Sequence, residues 1–139
     1  MSKRCNQCGH SDGPDLTVDA ILSNKEKTEI LLVYRKNEPI GWALPGGFVD
    51  KGEDLETAVK RELMEETGCG MIEAKCFGFA DAPDRDPRGH NITVLFTGIR
   101  TGEPKAADDA EQAVIFNVNK LPQNIVFDHE GIIDAWINS

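Results

Sequence analysis

Glu62, Glu65 and Glu66 cluster within five residues of a stretch whose other side chains spell out a helix. Leu55, Ala58, Val59 and Leu63 recur at helical spacing, and Gly68 follows as a stop. At about 100° per residue, Glu62 and Glu66 fall on the stripe begun by Leu55 and Val59, with Glu65 at its edge. An amphipathic helix ordinarily continues such a stripe with Leu or Ile. Partly buried like charges repel, raise one another's pKa and lose hydration, so a cation belongs among them. Hard divalent cations take oxygen ligands, and Mg²⁺ commonly uses one or two carboxylates together with substrate phosphates. A solvated acidic helix face is the alternative, and for Glu-Leu-Met-Glu-Glu alone it is the simpler reading.

The flanking residues favour the metal. Gly47, five residues, Glu53, seven residues, Arg61-Glu62, an aliphatic, any residue, Glu65-Glu66, any residue, Gly68 and an apolar residue form the Nudix box. The chain resembles the Nudix hydrolases at every fixed position of that motif, which constrains nine positions over 23 residues. Cys69 stands where the family usually has a branched aliphatic, and a buried Cys is itself a small hydrophobe. The resemblance implies an α/β/α sandwich with a mixed sheet between helices. It also implies hydrolysis of a nucleoside diphosphate linked to another group, with Mg²⁺ as cofactor and Mn²⁺ able to replace it. Glu62 and Glu66 would be the principal metal ligands, and Glu65 would complete the cluster or polarise the water. Main-chain groups of Gly46 and Gly47 can approach metal or phosphate because no side chain intervenes. By the same resemblance, Glu53 and Arg61 form an ion pair that ties the preceding loop to the helix and orients the carboxylates. In this family the general base often lies outside the box. Besides Glu65, the candidates are Glu111 and the neighbouring Asp108 and Asp109, which read equally as an acidic surface loop. Many relatives have Glu where this chain has Gln112, and Gln cannot take a proton near neutral pH.

The box reads only the shared diphosphate, so substrate choice rests on other segments. Trp42-Ala-Leu-Pro-Gly-Gly-Phe, Asp84-Arg-Asp-Pro-Arg-Gly-His90, Ala107-Asp-Asp-Ala110 and Phe127-Asp-His-Glu130 resemble the small prokaryotic ADP-ribose pyrophosphatases. That resemblance implies cleavage of ADP-ribose to AMP and ribose 5-phosphate by a cytoplasmic homodimer. Arg85 and Arg88 could grip a diphosphate or terminal ribose through their guanidinium forks, or pair with solvent-exposed acids. His90 could hydrogen-bond substrate or serve a structural role at a strand start. Trp42 could stack on adenine or pack in the core. Two other enzymes share the box. An NADH pyrophosphatase would carry a full zinc ribbon and a Ser-Gln-Pro-Trp-Trp-like signature, and a hydrolase of oxidised dGTP would lack the Arg-Asp-Pro-Arg-Gly-His stretch. A non-enzymatic nucleotide-sensing Nudix domain would carry a DNA-binding module or a damaged box.

The elements that must position these groups follow from the rest of the chain. At 139 residues there is room for one domain, and the formal charge of −9 argues against a nucleic-acid partner. No stretch is apolar enough to predict a membrane span or a signal segment. Residues 1–14 read as a tail with half of a zinc-ribbon pattern, Cys5-x-x-Cys8 followed by His10, and residues 15–139 as the Nudix hydrolase domain. Cys69 and Cys76 lack the spacing of a second knuckle, so zinc at Cys5 and Cys8 is not expected. Strands are predicted over 16–22, 29–35, 41–44, 72–80, 92–97 and 113–116, with a tight loop at Pro45-Gly46-Gly47. Helices are predicted over 54–67 and from a cap at Asp128 to about Ile137.

Overall fold

The computed structural model describes residues 6–8, 13–105 and 112–139. Its elements run β1 (Asp15–Ser23), β2 (Glu29–Arg35), β3 (Gly41–Ala43), β4 (Gly46–Phe48), α1 (Leu55–Thr67), β5 (Gly70–Ala80), β6 (Asn91–Thr101), β7 (Gln112–Asn117) and α2 (His129–Ile137). The seven strands form one mixed sheet whose main path is β3-β2-β1-β6-β5, with β4 added to β1 and β7 to β2. Among the pairs of these strands only β1 with β6 is parallel, in continuous register from Asp15 opposite Asn91 to Ser23 opposite Ile99.

Alternation along the central strands separates two cores. Val18, Ala20 and Leu22 of β1 join Leu31 and Val33 of β2 and meet Ala58, Val59 and Leu63 of α1. Ile21 of β1 and Ile30 and Leu32 of β2 point the other way, onto Ile132, Ile133 and Trp136 of α2. A strand covered on both faces needs apolar residues at both parities, which is why Ile30-Leu-Leu-Val33 is an unbroken apolar run. The sheet between helices is therefore the sandwich expected from the sequence.

Local chemistry ends α1 where the sequence predicts. The Asp54 carboxylate accepts the Thr57 N–H at 2.8 Å, and Gly68 adopts the left-handed conformation (φ 75°) while its N–H bonds Met64 O. Cys69 is fully buried beside the end of the helix. Among the described residues no helix is long and apolar enough to cross a membrane.

Two expectations are corrected. Gly46 and Gly47 do not form a tight loop: they open β4, which pairs antiparallel with β1 through Thr17–Phe48, Val18–Gly47 and Asp19–Gly46. Neither glycine takes a positive φ. Their need is space, since a Cβ at Gly46 would run into the Val18 carbonyl and the Asp19 carboxylate, and one at Gly47 into the Glu62 carboxylate. Asp128 does occupy the N-cap position of α2 but makes no side-chain cap. Its carboxylate is drawn instead to the Arg85 guanidinium, a stronger charged donor than a backbone N–H.

Candidate active site

The three helix glutamates are organised by one arginine. Arg61 presents five N–H donors. It gives Nε–H and one Nη2–H to the Glu53 carboxylate at 2.7 and 3.0 Å and the other Nη2–H to Phe48 O at 3.0 Å. Its Nη1 donates to Glu62 Oε1 at 2.8 Å and Glu65 Oε1 at 3.1 Å. A single planar group thus ties the loop at Glu53, strand β4 and two carboxylates of α1. The Arg61 hydrogen bond, supported by the Asp50 N–H, holds the Glu53 carboxyl below the usual range. Burial pushes the Glu62 carboxyl up against the opposing pull of Arg61.

Glu62, Glu65 and Glu66 differ in setting. The Glu62 side chain is 16% exposed and Glu65 56%. Glu66 is half-buried and its Oε1 accepts the Gly46 N–H at 2.7 Å. Gly47 leaves the space beside Glu62 that a methyl group would fill. The half-buried carboxylates of Glu62 and Glu66 beside the two glycines of β4 suit a hard divalent cation. Among the described residues no three acidic, imidazole or thiol side chains already converge on one point. The ion pairs give the reason: Arg61 draws Glu62 and Glu65 to itself, and the Gly46 N–H takes Glu66. A cation would compete for oxygens that are in place on one helix.

Beyond β4 a cleft of about 250 Å³ opens, lined among others by Glu66, Gly46, Gly47, Phe48, Asp19, Arg88, Phe127 and His129. Its far wall is a charged chain. Arg85, with a side chain only 4% exposed, clamps both Asp128 oxygens at 2.9 and 2.7 Å and donates to Asn91 Oδ1 at 2.7 Å. Asn91 in turn donates to Asp86 at 2.6 Å, and Asp86 takes the Arg88 side chain and backbone N–H. Burial acts to raise the Asp86 carboxyl, but the Arg88 and Asn91 hydrogen bonds outweigh it and bring it from 3.8 to about 2. A depressed carboxylate pKa stabilises the fold fully above its unfolded value, and that stability is lost as pH falls through the folded one. Asp86→Asn is therefore expected to lower the melting temperature at neutral pH by roughly 5 °C. Melting scans should show the gap from wild type closing between about pH 4 and pH 2.

The residues singled out from the sequence are brought together unevenly. Gly46, Gly47, Glu53, Arg61, Glu62, Glu65 and Glu66 form one connected cluster. Arg88 reaches the cleft with its guanidinium near the Phe48 and Phe127 rings, 5.9 and 5.4 Å from their centroids. Arg85 lines the same cleft but is committed to Asp128 and Asn91, so it fixes the wall. His90 is exposed and contributes its backbone carbonyl to the Asp15 N–H. Trp42 stacks edge-on between Tyr34 and Phe116 and packs on the α2 core. Glu111, Asp108, Asp109, Cys5 and His10 lie outside the described residues.

Sequence reasoning passed over a second pair in the cleft. His129 is 3% exposed and its Nδ1 accepts the Leu44 N–H at 2.9 Å. In the neutral ring the proton then sits on Nε2, which faces Asp19 Oδ2 at 3.6 Å. Thr93 donates to the same Asp19 oxygen at 2.6 Å. A carboxylate inside an apolar strand, Val18-Asp19-Ala20-Ile21, was the available signal.

The comparisons with known proteins agree with this geometry. A family profile described as NUDIX domain matches residues 13–136. The chain belongs to the Nudix family. An ADP-ribose pyrophosphatase of Methanocaldococcus jannaschii is 48% identical over 127 residues, covering 89% of this chain and 73% of that protein. Among solved structures, the NUDIX domain of Shewanella oneidensis NrtR complexed with ADP ribose has a TM-score of 0.79 at 29% identity, covering 91% of this chain and 88% of that one. A MutT NUDIX hydrolase from Burkholderia pseudomallei has a TM-score of 0.77 at 28% identity, covering 88% of this Nudix chain and 98% of its own.

Proposed function

We propose that this Nudix chain is a Mg²⁺-dependent ADP-ribose pyrophosphatase, with residues 15–139 as the hydrolase domain behind a short N-terminal tail. The observation that carries the chemistry is the Arg61-centred cluster, which sets Glu62, Glu65 and Glu66 against the side-chain-free start of β4. The substrate reading rests on the 48% identity to the M. jannaschii enzyme.

Glu62 and Glu66 would hold the cation, which when bound neutralises diphosphate charge and lowers the cost of attack at phosphorus. The protein groups do the positioning. The Gly46 N–H orients Glu66, and Arg61 holds Glu62 and keeps Glu65 at the solvent edge of the site. There Glu65 can orient a water or accept its proton. The water oxygen bonds phosphorus, the bridging P–O bond breaks, and the products are AMP and ribose 5-phosphate. Hydrolysis in ¹⁸O water assigns the phosphorus attacked, because only the product on that side carries the label. Arg88, half-exposed in the cleft beside Phe48 and Phe127, would offer its charge to the substrate, a reading its position supports.

The substrate is tested by kcat/KM across ADP-ribose, NADH, diadenosine polyphosphates, sugar nucleotides and oxidised dGTP under one Mg²⁺ concentration, a ratio that reports differential transition-state binding. ADP-ribose should lead, and Arg88→Ala should erode that lead more than it slows a poor substrate. NADH or oxidised dGTP in first place would overturn the substrate assignment and leave the Nudix chemistry standing. We further propose a homodimer, for which sedimentation giving a monomer at working concentration is the contrary result.

A further inference from the structure

Asp19 belongs to the cleft but not to the carboxylate set on α1. Cross-strand partners share a face of the sheet. Val18 packs in the α1 core, so its partner Gly47 faces α1 and the Glu62 carboxylate. Asp19 and its partner Gly46 face the opposite way, toward Leu44, Thr93 and His129. A single residue step along β4 therefore passes from the diphosphate-facing glutamates to a separate carboxylate. The two oxygens of that carboxylate are treated differently. Oδ2 receives the Thr93 hydroxyl at 2.6 Å and faces His129 Nε2 at 3.6 Å. Oδ1 lies in the space left by the missing Gly46 side chain, and among the described residues no hydrogen bond to it is made. The Thr93 hydrogen bond orients the Asp19 carboxylate before substrate arrives, and the His129 ring beside it is fixed by the Leu44 N–H.

An ionised carboxylate accepts hydrogen bonds and donates none. Arg88, a cation that shares the cleft with it, is already paired with Asp86 at 2.8 Å, so what Asp19 can still take is a group rich in O–H donors. Sugar hydroxyls are such a group, and both riboses of ADP-ribose attach directly to the diphosphate. We propose that Asp19, held by the Thr93 hydroxyl, is a specificity-determining residue that accepts hydrogen bonds from the cis-diol of a sugar adjoining the substrate diphosphate. The inference rests on the ADP-ribose reading above. Two sources share that chemistry, the adenosine ribose and the terminal ribose.

Three substrates separate the outcomes: ADP-ribose, its form lacking the adenosine 2′-hydroxyl, and the methyl ester of ADP, which has no terminal sugar. Wild-type protein should prefer ADP-ribose to one of the two analogues by at least about tenfold in kcat/KM, the scale of one hydrogen bond to a charged group. Asp19→Asn, close in shape and uncharged, should cut kcat/KM for ADP-ribose by roughly ten- to a hundredfold, mainly through KM. It should leave the analogue whose diol is missing within about threefold of wild type, and so name the ribose that is read. Thr93→Val should show the same pattern more weakly. Equal losses on all three substrates, no wild-type preference, or a shifted Mg²⁺ half-saturation in Asp19→Asn would each overturn the diol assignment. Because wild-type preference is itself an arm, an Asp19 variant that fails to fold does not shelter the idea. Wild-type protein inactive on ADP-ribose overturns the substrate reading and this inference together, whereas activity without the pattern overturns this inference alone.

Discussion

Glu66→Gln is expected to lose on the order of a hundredfold or more in kcat while melting close to wild type. Each factor of ten corresponds to about 1.4 kcal/mol of barrier. The substitution removes a charge from the ligand set but keeps the side-chain shape, and its amide oxygen can still accept the Gly46 N–H that the carboxylate takes at 2.7 Å. Glu66 lies one turn from Glu62 on a helix whose buried residues are Ala58, Val59, Leu63 and Thr67, so the packed face of α1 is untouched. The measurement is initial rate against Mg²⁺ concentration, with circular dichroism to confirm the fold. Turnover near wild type at saturating Mg²⁺ would remove Glu66 from the metal set. A loss rescued by raising Mg²⁺ would mean that the residue contributes affinity and little to the chemistry.

The helix that carries Glu66 could be read from the sequence because its determinants are local. Asp54 caps it, Val59 and Leu63 set its face, and Gly68 ends it within one continuous stretch. The strand Ile30-Leu-Leu-Val33 was equally plain, as a run apolar at both parities. What stayed hidden depends on partners distant in the chain. Gly46-Gly47 signals a turn to anyone reading neighbours alone, yet the glycines are there because Asp19 and Glu62 occupy the space beside them. Arg85 looks like a surface cation until Asp128, 43 residues on, closes over it. Asp128 in turn had every feature of a helix cap until a guanidinium outbid the backbone N–H. His129 gave no periodic signal at all, since its role depends on Leu44, 85 residues away.

Arg61→Lys should show that the cluster needs a fork and not merely a positive charge. Arg61 hydrogen-bonds four residues at once, Glu53 on two oxygens, Phe48 O, Glu62 and Glu65, and lies 3.5 Å from the Asp50 carboxylate. A lysine ammonium has three donors on one nitrogen and cannot span both the Glu53 carboxylate and the two helix glutamates. The freed carboxylates would repel across α1, and Glu62, whose carboxyl is already pushed up by burial, would lose the hydrogen bond that opposes that push. Groups that orient metal ligands typically cost ten- to a hundredfold in metal affinity or activity when removed. Arg61→Lys should therefore raise the Mg²⁺ concentration for half-maximal rate and lower kcat by about that factor. Glu53→Gln should do so more mildly, since the amide oxygen still accepts one of the two Arg61 hydrogen bonds and Glu53 positions the cluster without being assigned as a metal ligand. The decisive measurement is the Mg²⁺ activation curve for Arg61→Lys beside that for Arg61→Met. Full activity with Lys but not Met would show that charge alone suffices, and the positioning role assigned to the fork would fall.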